Sequence, residues 1–342
     1  MFKVRVVIVT FNNQDDIVEC LESLSNQAGV IKDVVVIDNA SSDKTLELLR
    51  NEFPEVKRIE NSVNRGFTSA VNQGLTRPLP EYVALLNPDT CSKQDWLFHA
   101  SEVLESNPTF GACQATILLY DRRNKINSNG NMANFLMFGW PGGFEQEYDG
   151  KETVMSTVYP SGCAVVFRRE CLEKVHGLDE MMFMYHDDLD IGLRAFLLGY
   201  DSACSAKAIV FHKYAYRESP RKFYLLERNR IISLLKLYRI ATIAIMFPIL
   251  LVTEIAIWMK ALKEGWLSEK ILGYGSILKH IREIWEARTA IQTRRERSDS
   301  QLIEHLRGGL VFRPVEQEML AKTGNKLLDK YRQFLLRLRL SR

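Results

Sequence analysis

The chain has 342 residues, 46% of them hydrophobic and 25% charged, which suits one large folded domain with appendages, or two domains. That composition excludes a disordered chain, a collagen-like or coiled-coil fibre and a disulfide-stapled miniprotein. The net charge of +3 hides a split: residues 1–212 hold 19 Lys and Arg against 29 Asp and Glu, a net of −10, while residues 213–342 carry a net of +13. Two jobs are expected of two such regions.

In chain order, Val4-Arg5-Val6-Val7-Ile8-Val9 is a β-branched run, as expected of a strand buried on both faces. Asn12-Asn13-Gln14-Asp15-Asp16 opens a helix with acids in its first turn, carried on by Ile17, Val18, Leu21 and Leu24 at helical spacing. A second strand, Val34-Val35-Val36-Ile37, stops at Asp38-Asn39-Ala40-Ser41-Ser42-Asp43, and a helix bearing Leu46, Leu48, Leu49 and Phe53 follows. Asn64-Arg65-Gly66-Phe67 opens another helix, and Tyr82-Val83-Ala84-Leu85-Leu86 is a further strand. Strands alternating with helices predict an α/β fold with a mostly parallel sheet covered by helices on both faces. Ligands bind such sheets beyond the carboxyl ends of the strands, where residues 38–43 and 87–89 lie.

Residues 120–157 are rich in Asn, Gly and Asp and read as long mobile loops. Order returns with the strand Ser161-Gly162-Cys163-Ala164-Val165-Val166-Phe167-Arg168. His186-Asp187-Asp188-Leu189-Asp190 then starts a helix that runs to Leu198 and stops at Gly199. Ala208-Ile209-Val210-Phe211-His212 is a last strand, after which the chain turns helical and basic, with apolar patches. The expected division is a catalytic domain over residues 1–230 and a helical region over 231–342.

Six cysteines (Cys20, Cys91, Cys113, Cys163, Cys171 and Cys204) lie scattered without a C-x-x-C pair, which argues against structural zinc and for a reducing, cytoplasmic setting. The first seven residues run straight into a strand, so no secretory leader is expected there.

Four clusters can carry chemistry, each with a plainer reading beside it. Residues 38–43 make either a turn and helix cap, or a site where Asp38 accepts a hydrogen bond from a base or ribose. Asn87-Pro88-Asp89 is either a bare turn or a carboxylate aimed at a divalent metal on substrate phosphates. Three acids among residues 187–190 exceed what capping requires, and one of them would serve as a general base toward a hydroxyl. His212, at a strand end, is either a metal ligand or a hydrogen-bonded, partly buried histidine. The chain has no Walker loop, no G-x-G-x-x-G after the first strand, no G-x-S-x-G and no H-E-x-x-H, which removes the usual NTPase, dinucleotide, esterase and zinc-protease readings.

Taken in order, Val7-Ile8-Val9-Thr10-Phe11-Asn12, Val36-Ile37-Asp38-Asn39-Ala40-Ser41-Ser42-Asp43, Asn64-Arg65-Gly66-Phe67, Leu86-Asn87-Pro88-Asp89, Ser161-Gly162 and Asp187-Asp188 resemble the family 2 glycosyltransferases, inverting enzymes of the GT-A fold. Within that family the chain is most similar to the rhamnosyltransferase and galactofuranosyltransferase branch, which has N-P-D where other members have D-x-D. The resemblance implies Thr10 and Phe11 by the nucleotide base, Asp38 bonded to the base, and Asn39 or Ser41 near the ribose. It implies a donor pocket shaped by Asn64, Gly66 and Phe67, with Asn87 close to the ribose-diphosphate. Asp89 and His212 would bind Mn²⁺ or Mg²⁺, and Asp188 would be the base, Asp187 standing where the family commonly has Glu. Arg228 and Arg230 would either add charge near the pyrophosphate or be surface groups. The implied activity is transfer of a sugar from a nucleotide-diphosphate sugar to a saccharide acceptor, and two rival readings would make other demands on the residues. A sugar nucleotidyltransferase would need a glycine-rich basic loop where Thr10-Phe11-Asn12-Asn13 stands. A non-catalytic nucleotide-sugar binder would not need Asp89 and Asp188 together.

Residues 240–259 form an apolar run broken only by Thr242, Pro248, Thr253 and Glu254. Helices dipping into the inner face of the cell membrane are expected there, with residues 334–339 on its anionic surface, bringing the base to a lipid-linked acceptor in polysaccharide assembly. A buried hairpin or a contact between copies in a homo-oligomer is the competing reading. No nucleic-acid partner is expected.

Overall fold

The computed structural model describes residues 1–151, 153–215, 218–311 and 318–338. Clustering of contacts divides the chain into two compact units: Met1–Asn131, Pro141–Ala195 and Tyr200–Tyr216 form the first, and Met132–Trp140, Phe196–Gly199 and Arg217–Arg342 the second.

The first unit is built on strand β1 (Phe2–Thr10), whose Val6, Val7, Ile8 and Val9 are all buried, because helices and neighbouring strands leave no face for water. After it come α1 (Ile17–Ser25), β2 (Val30–Asp38), α2 (Thr45–Glu52), β3 (Lys57–Glu60), α3 (Phe67–Gly74), β4 (Tyr82–Leu86), β5 (Thr90–Ser92), α4 (Trp96–Ser106) and β6 (Phe110–Leu119). The chain continues through β7 (Ile126–Ser128), β8 (Asn131–Ala133), β9 (Gly139–Pro141), β10 (Val154–Thr157), β11 (Ala164–Arg168), α5 (Arg169–Val175), α6 (Asp187–Leu197) and β12 (Asp201–His212).

The main sheet has the order β10-β12-β6-β11-β4-β1-β2-β3, with β5 paired to β12 and β7 to β6. Strands β4, β1, β2 and β3 run parallel, as the alternation of helices predicts. The other half is mixed: β11 is antiparallel to both β4 and β6, and β12 is parallel to β6 but antiparallel to β10 and β5. Burial on both faces looks the same in sequence whichever way a strand runs, so only the parallel half was readable. The core lies between β1, β4 and β11 and the helices α1 and α4, around Ile8, Ile17, Leu86, Trp96 and Val166.

The register decides where the site lies. Thr10 pairs with Asp38 across β1 and β2, Leu86 of β4 faces Ala164 of β11, and His212 of β12 faces Thr90 of β5. One sheet edge therefore gathers the ends of β1, β2, β4 and β12 and the entry to β11.

Residues 120–157 correct the expectation of mobile loops. Ile126, Asn127, Ser128 and Asn131 are buried, and β7 joins the main sheet on β6. Asn and Ser read as loop formers in isolation, but here distant side chains satisfy them.

In the second unit, α7 (Pro220–Leu237) starts with a Ser219 side-chain cap on the Lys222 amide and a proline in its first turn. It runs unbroken through residue 230, where the sequence expectation divides the chain. Then come α8 (Ile240–Glu264), closed by Gly265 in the left-handed region, α9 (Leu267–Lys279), α10 (Ile281–Arg294), α11 (Asp299–His305), which has a Ser298–Gln301 capping box, and α12 (Glu318–Arg337). Helix α7 packs against α9 and α10.

Candidate active site

Two left-handed residues, Asn12 (φ 57°) and Ala40 (φ 68°), turn the chain sharply off the ends of β1 and β2. The turns are stitched together: the Asn12 amide donates to Ser41 Oγ (2.9 Å), and the Ser42 amide to Asn12 Oδ1 (2.7 Å). Thr10 is buried beneath them, and Phe11 is 47% exposed beside them. Asp38 is buried, with Oδ2 accepting from the Ser41 amide at 3.1 Å. Its Oδ1 is buried and has no hydrogen-bond partner. Such an orphan acceptor is costly unless a ligand supplies the donor.

Asn39 is otherwise engaged. Its amide nitrogen donates to Asn64 Oδ1 (3.0 Å) and the Gly66 carbonyl (3.2 Å), while its oxygen accepts from the Arg65 amide (3.0 Å) and Asn61 Nδ2 (3.2 Å). It braces the 61–66 loop. Gly66 adopts φ 84°, and a Cβ there would stand 2.6 Å from the Phe183 ring, so the loop can lie this close only with glycine. The Thr68 amide, in the first turn of α3 beside Phe67, donates to the Phe183 carbonyl (3.2 Å). The turn at Gly66–Thr68 and residue 183 are thus locked together. Phe183, Tyr185 and His186 all have φ between 62° and 65°, a run of backbone strain directly ahead of α6.

Helix α6 opens with Asp187, Asp188 and Asp190 in its first turn. Gly192 lets it press against Tyr159 and Pro160, where a Cβ would come within 2.6 Å of the Tyr159 side chain. Asp190 turns inward to Arg194 at 2.7 Å. Asp188 is half-buried, and its Oδ1 accepts from the Leu189 amide at 2.8 Å. Burial pushes its carboxyl up to about 6 despite backbone donors from Leu189 and Gly162. Asp187 is pushed further, to about 8, by burial and then by the charge of Asp188. Two carboxyls this close disfavour a double negative charge at the start of α6.

Asp89 and His212 meet at the end of β4 and β12, with His212 Nε2 3.3 Å from Asp89 Oδ2. Asp89 Oδ1 is buried without a partner. An unpaired carboxylate oxygen beside an imidazole nitrogen fits a divalent metal held by these two groups. Among the described residues, no group of three His, Cys, Asp or Glu side chains converges on one point, so further ligands would come from substrate or water. Asn87 is half-buried just ahead of them, its carbonyl taken by Thr90 Oγ1 (2.7 Å).

The profile of glycosyl transferase family 2 matches residues 5–175, half of the chain. The chain belongs to glycosyl transferase family 2. It is 25% identical over 233 residues to the N-acetylglucosaminyl-diphospho-decaprenol L-rhamnosyltransferase of Mycobacterium tuberculosis, covering 62% of this chain and 76% of that protein. It is 23% identical over 208 residues to a poly-beta-1,6-N-acetyl-D-glucosamine synthase of Staphylococcus epidermidis, covering 60% of this chain. It spans 48% of the length of that synthase. Among solved structures, GalNAc-T7 with UDP, GalNAc and Mn²⁺ superposes with a TM-score of 0.57 at 14% identity, over 68% of this chain and 47% of that one. S. aureus TarS superposes at 0.50 and 16% identity, over 98% of this chain and 55% of that one. These likenesses bear on the fold, which is the GT-A type.

In this member of the family the structure adds residues that sequence reasoning missed. Asn127 Oδ1 lies 2.9 Å from His212 Nδ1. Since an amide oxygen can only accept, Nδ1 carries a proton and Nε2 is the ring nitrogen left facing Asp89. Four residues on, Asn131 Nδ2 reaches Asp188 Oδ2 at 3.4 Å. Asn131 is aimed by a buried relay: Ser128 Oγ donates to its oxygen (2.7 Å), and Gln114 Nε2 donates to Ser128 Oγ (3.0 Å). The Ser161 amide in turn donates to Gln114 Oε1 (2.7 Å). One buried segment thus orients both the candidate metal ligand and the candidate base. The only sequence signal was an excess of Asn in a stretch otherwise read as loop.

Arg228 and Arg230 belong to the second unit. Arg228 lies 5.4 Å over the Tyr224 ring and donates to Asn229 Oδ1. Arg230 corrects both expectations, pyrophosphate ligand and surface group: it is 2% exposed and committed to Glu227 and Glu254.

Proposed function

We propose that this glycosyltransferase is inverting, and moves a sugar from a nucleotide-diphosphate sugar to the hydroxyl of a saccharide acceptor. The observation that carries the reading is the half-buried carboxyl of Asp188, held by Asn131, on the same sheet edge as the orphan acceptor of Asp38 and the Asp89–His212 pair.

In this mechanism Asp38 Oδ1 accepts an N–H from the nucleotide base, while the Gly66–Phe67 turn bounds the donor. Asp188 removes the proton from the acceptor hydroxyl, whose oxygen forms the new bond to the anomeric carbon. The bond to the diphosphate oxygen breaks on the opposite face, and the nucleoside diphosphate departs with the electron pair. Burial and the neighbouring Asp188 disfavour ionisation of Asp187, which keeps a second negative charge away from the attacking oxygen. Asn131 holds the Asp188 carboxylate, and Asn127 holds His212. Asp89 and His212 would hold a divalent cation, Mn²⁺ or Mg²⁺, which supplies positive charge to a departing diphosphate.

Rhamnose is the proposed donor sugar and a lipid-linked saccharide the proposed acceptor, supported by the resemblance of the Asn87-Pro88-Asp89 motif and by the mycobacterial relative's name. The proposed place is the cytoplasmic face of the membrane, in cell-surface polysaccharide assembly. A thermal-shift panel of uridine, thymidine and guanosine diphosphate sugars, with and without Mn²⁺, tests the donor reading first. One donor should raise the melting temperature in a metal-dependent way, followed by transfer to an acceptor with inversion at the anomeric carbon. No shift with any donor, or a product retaining the anomeric configuration, would contradict it.

A further inference from the structure

Helices α8 and α9 are built inside out. Glu254 is the one acid between residues 240 and 259. It points inward, contacting Arg230, Lys270 Nζ (2.9 Å) and the Tyr274 hydroxyl (2.6 Å). Lys270 of α9 is 1% exposed and also holds Glu227 of α7 at 2.8 Å. Two acids and two bases therefore neutralise one another in the interior of the helical unit. Burial alone would push Glu227 and Glu254 up, but the paired cations hold both below the usual carboxylate range.

The opposite face is apolar and open. On α8, Phe247, Leu251, Val252, Ile255, Met259 and Leu262 are each between 47% and 69% exposed, and on α9 Ile271, Leu272 and Leu278 between 53% and 72%. Helices of a water-soluble protein put these two sets of residues the other way round. Helix α8 is roughly 37 Å long at ~1.5 Å per residue over its 25 residues, and the stripe from Phe247 to Leu262 covers about 24 Å of it.

We infer that this face of α8 and α9 lies flat in the outer layer of an anionic lipid surface. Three observations choose that occupant. Thr242, Met246, Ile249 and Ala261 are buried along the length of α8, and the Tyr331 hydroxyl donates to the Ile245 carbonyl (2.6 Å) in the turn disturbed by Pro248. A helix held on one side from end to end by other helices is placed to lie in the interface rather than to cross it. From Phe247 to Met259 every exposed residue of α8 is apolar, whereas contacts between protein copies typically carry hydrogen bonds, about one per 100–200 Å². Residues 213–342 also carry a net charge of +13, with Lys260 and Lys263 exposed at the end of the stripe, which complements anionic headgroups.

The inference deepens the membrane placement proposed above and rests on it for its purpose, while its structural basis is confined to the helical unit. Flotation of the full-length chain with phosphatidylcholine vesicles, with and without phosphatidylglycerol, is the test. The chain should float, more strongly with phosphatidylglycerol. The double variant Leu251→Glu, Ile255→Glu changes only half-exposed side chains, and should lose binding on the order of tenfold or more. Lys260→Ser with Lys263→Ser should abolish only the preference for phosphatidylglycerol. Donor-induced thermal shift should be the same in all these proteins. A parent chain that fails to float while still binding donor overturns the membrane face and leaves the transferase reading standing. A parent that is dimeric by light scattering, ignores vesicles and becomes monomeric in the double variant would make this face a contact between copies. Flotation without any donor response would strike the transferase reading alone.

Discussion

The two units of this chain obey opposite rules of polarity. In the sheet unit, apolar side chains such as Ile8, Val36 and Val166 fill the interior, and the acids gather at one edge: Asp38, Asp89, Asp187 and Asp188. In the helical unit the charges of Glu227, Arg230, Glu254 and Lys270 are inside, and the large apolar side chains of α8 and α9 are outside. The buried charges of the two units also differ in kind. Those of α7, α8 and α9 are paired and balanced, which fixes helix positions. At the sheet edge Asp38 Oδ1 and Asp89 Oδ1 are left without partners, which costs stability and leaves two acceptors open to a ligand.

The sharpest way to break that contrast is to unbalance the helical cluster. Glu254→Leu leaves Arg230 and Lys270 facing one another with a single acid between them. It should cost about 3–5 kcal/mol in denaturant unfolding. Adding Lys270→Met restores neutrality around the Glu227–Arg230 pair and should recover most of that loss. A double variant as unstable as the single one would mean that the cluster does not act as a balanced unit.

At the sheet edge, Asn127→Ala should weaken Mn²⁺ binding by ~10–100-fold, read by metal titration of the purified protein, because His212 loses the partner that fixes its tautomer. Unchanged affinity would remove His212 from the metal site. Asp38→Ala should weaken donor nucleotide binding by about tenfold, the worth of a hydrogen bond to a charged acceptor. The smallest effect concerns pH. Asp188 must be ionised to take a proton and its carboxyl is raised to about 6, so kcat should fall as the pH drops through that value. Asn131→Ala removes a donor to the charged form, which raises the carboxyl further, and should move that acid limb upward. An acid limb that stays in place would leave Asn131 with a purely structural role.

What was legible in the sequence follows from the range of the interactions. Strand β1, the turn at Asp38, the projection of Asp89 and the acid-rich start of α6 are local patterns, each written in a few consecutive residues. Asn127 and Asn131 were not legible, since His212 and Asp188 lie 85 and 57 positions away and nothing nearby marks the pairing. Glu254 misleads for the same reason. On its own it is a flaw in an apolar helix, and only Arg230 and Lys270, on two other helices, turn it into the device that keeps charge off the outer face.

The central claim is that Asp188, and not its neighbour, takes the acceptor's proton. Transfer by Asp188→Asn and Asp187→Asn, measured at saturating donor and metal, tests it most directly. Asp188→Asn should lose ~10²–10⁴-fold in kcat with donor affinity retained, since the amide keeps the shape but cannot accept the proton. Asp187→Asn leaves the Asp188 carboxyl in place and should retain most of the rate. A dead Asp187→Asn beside an active Asp188→Asn would contradict the account.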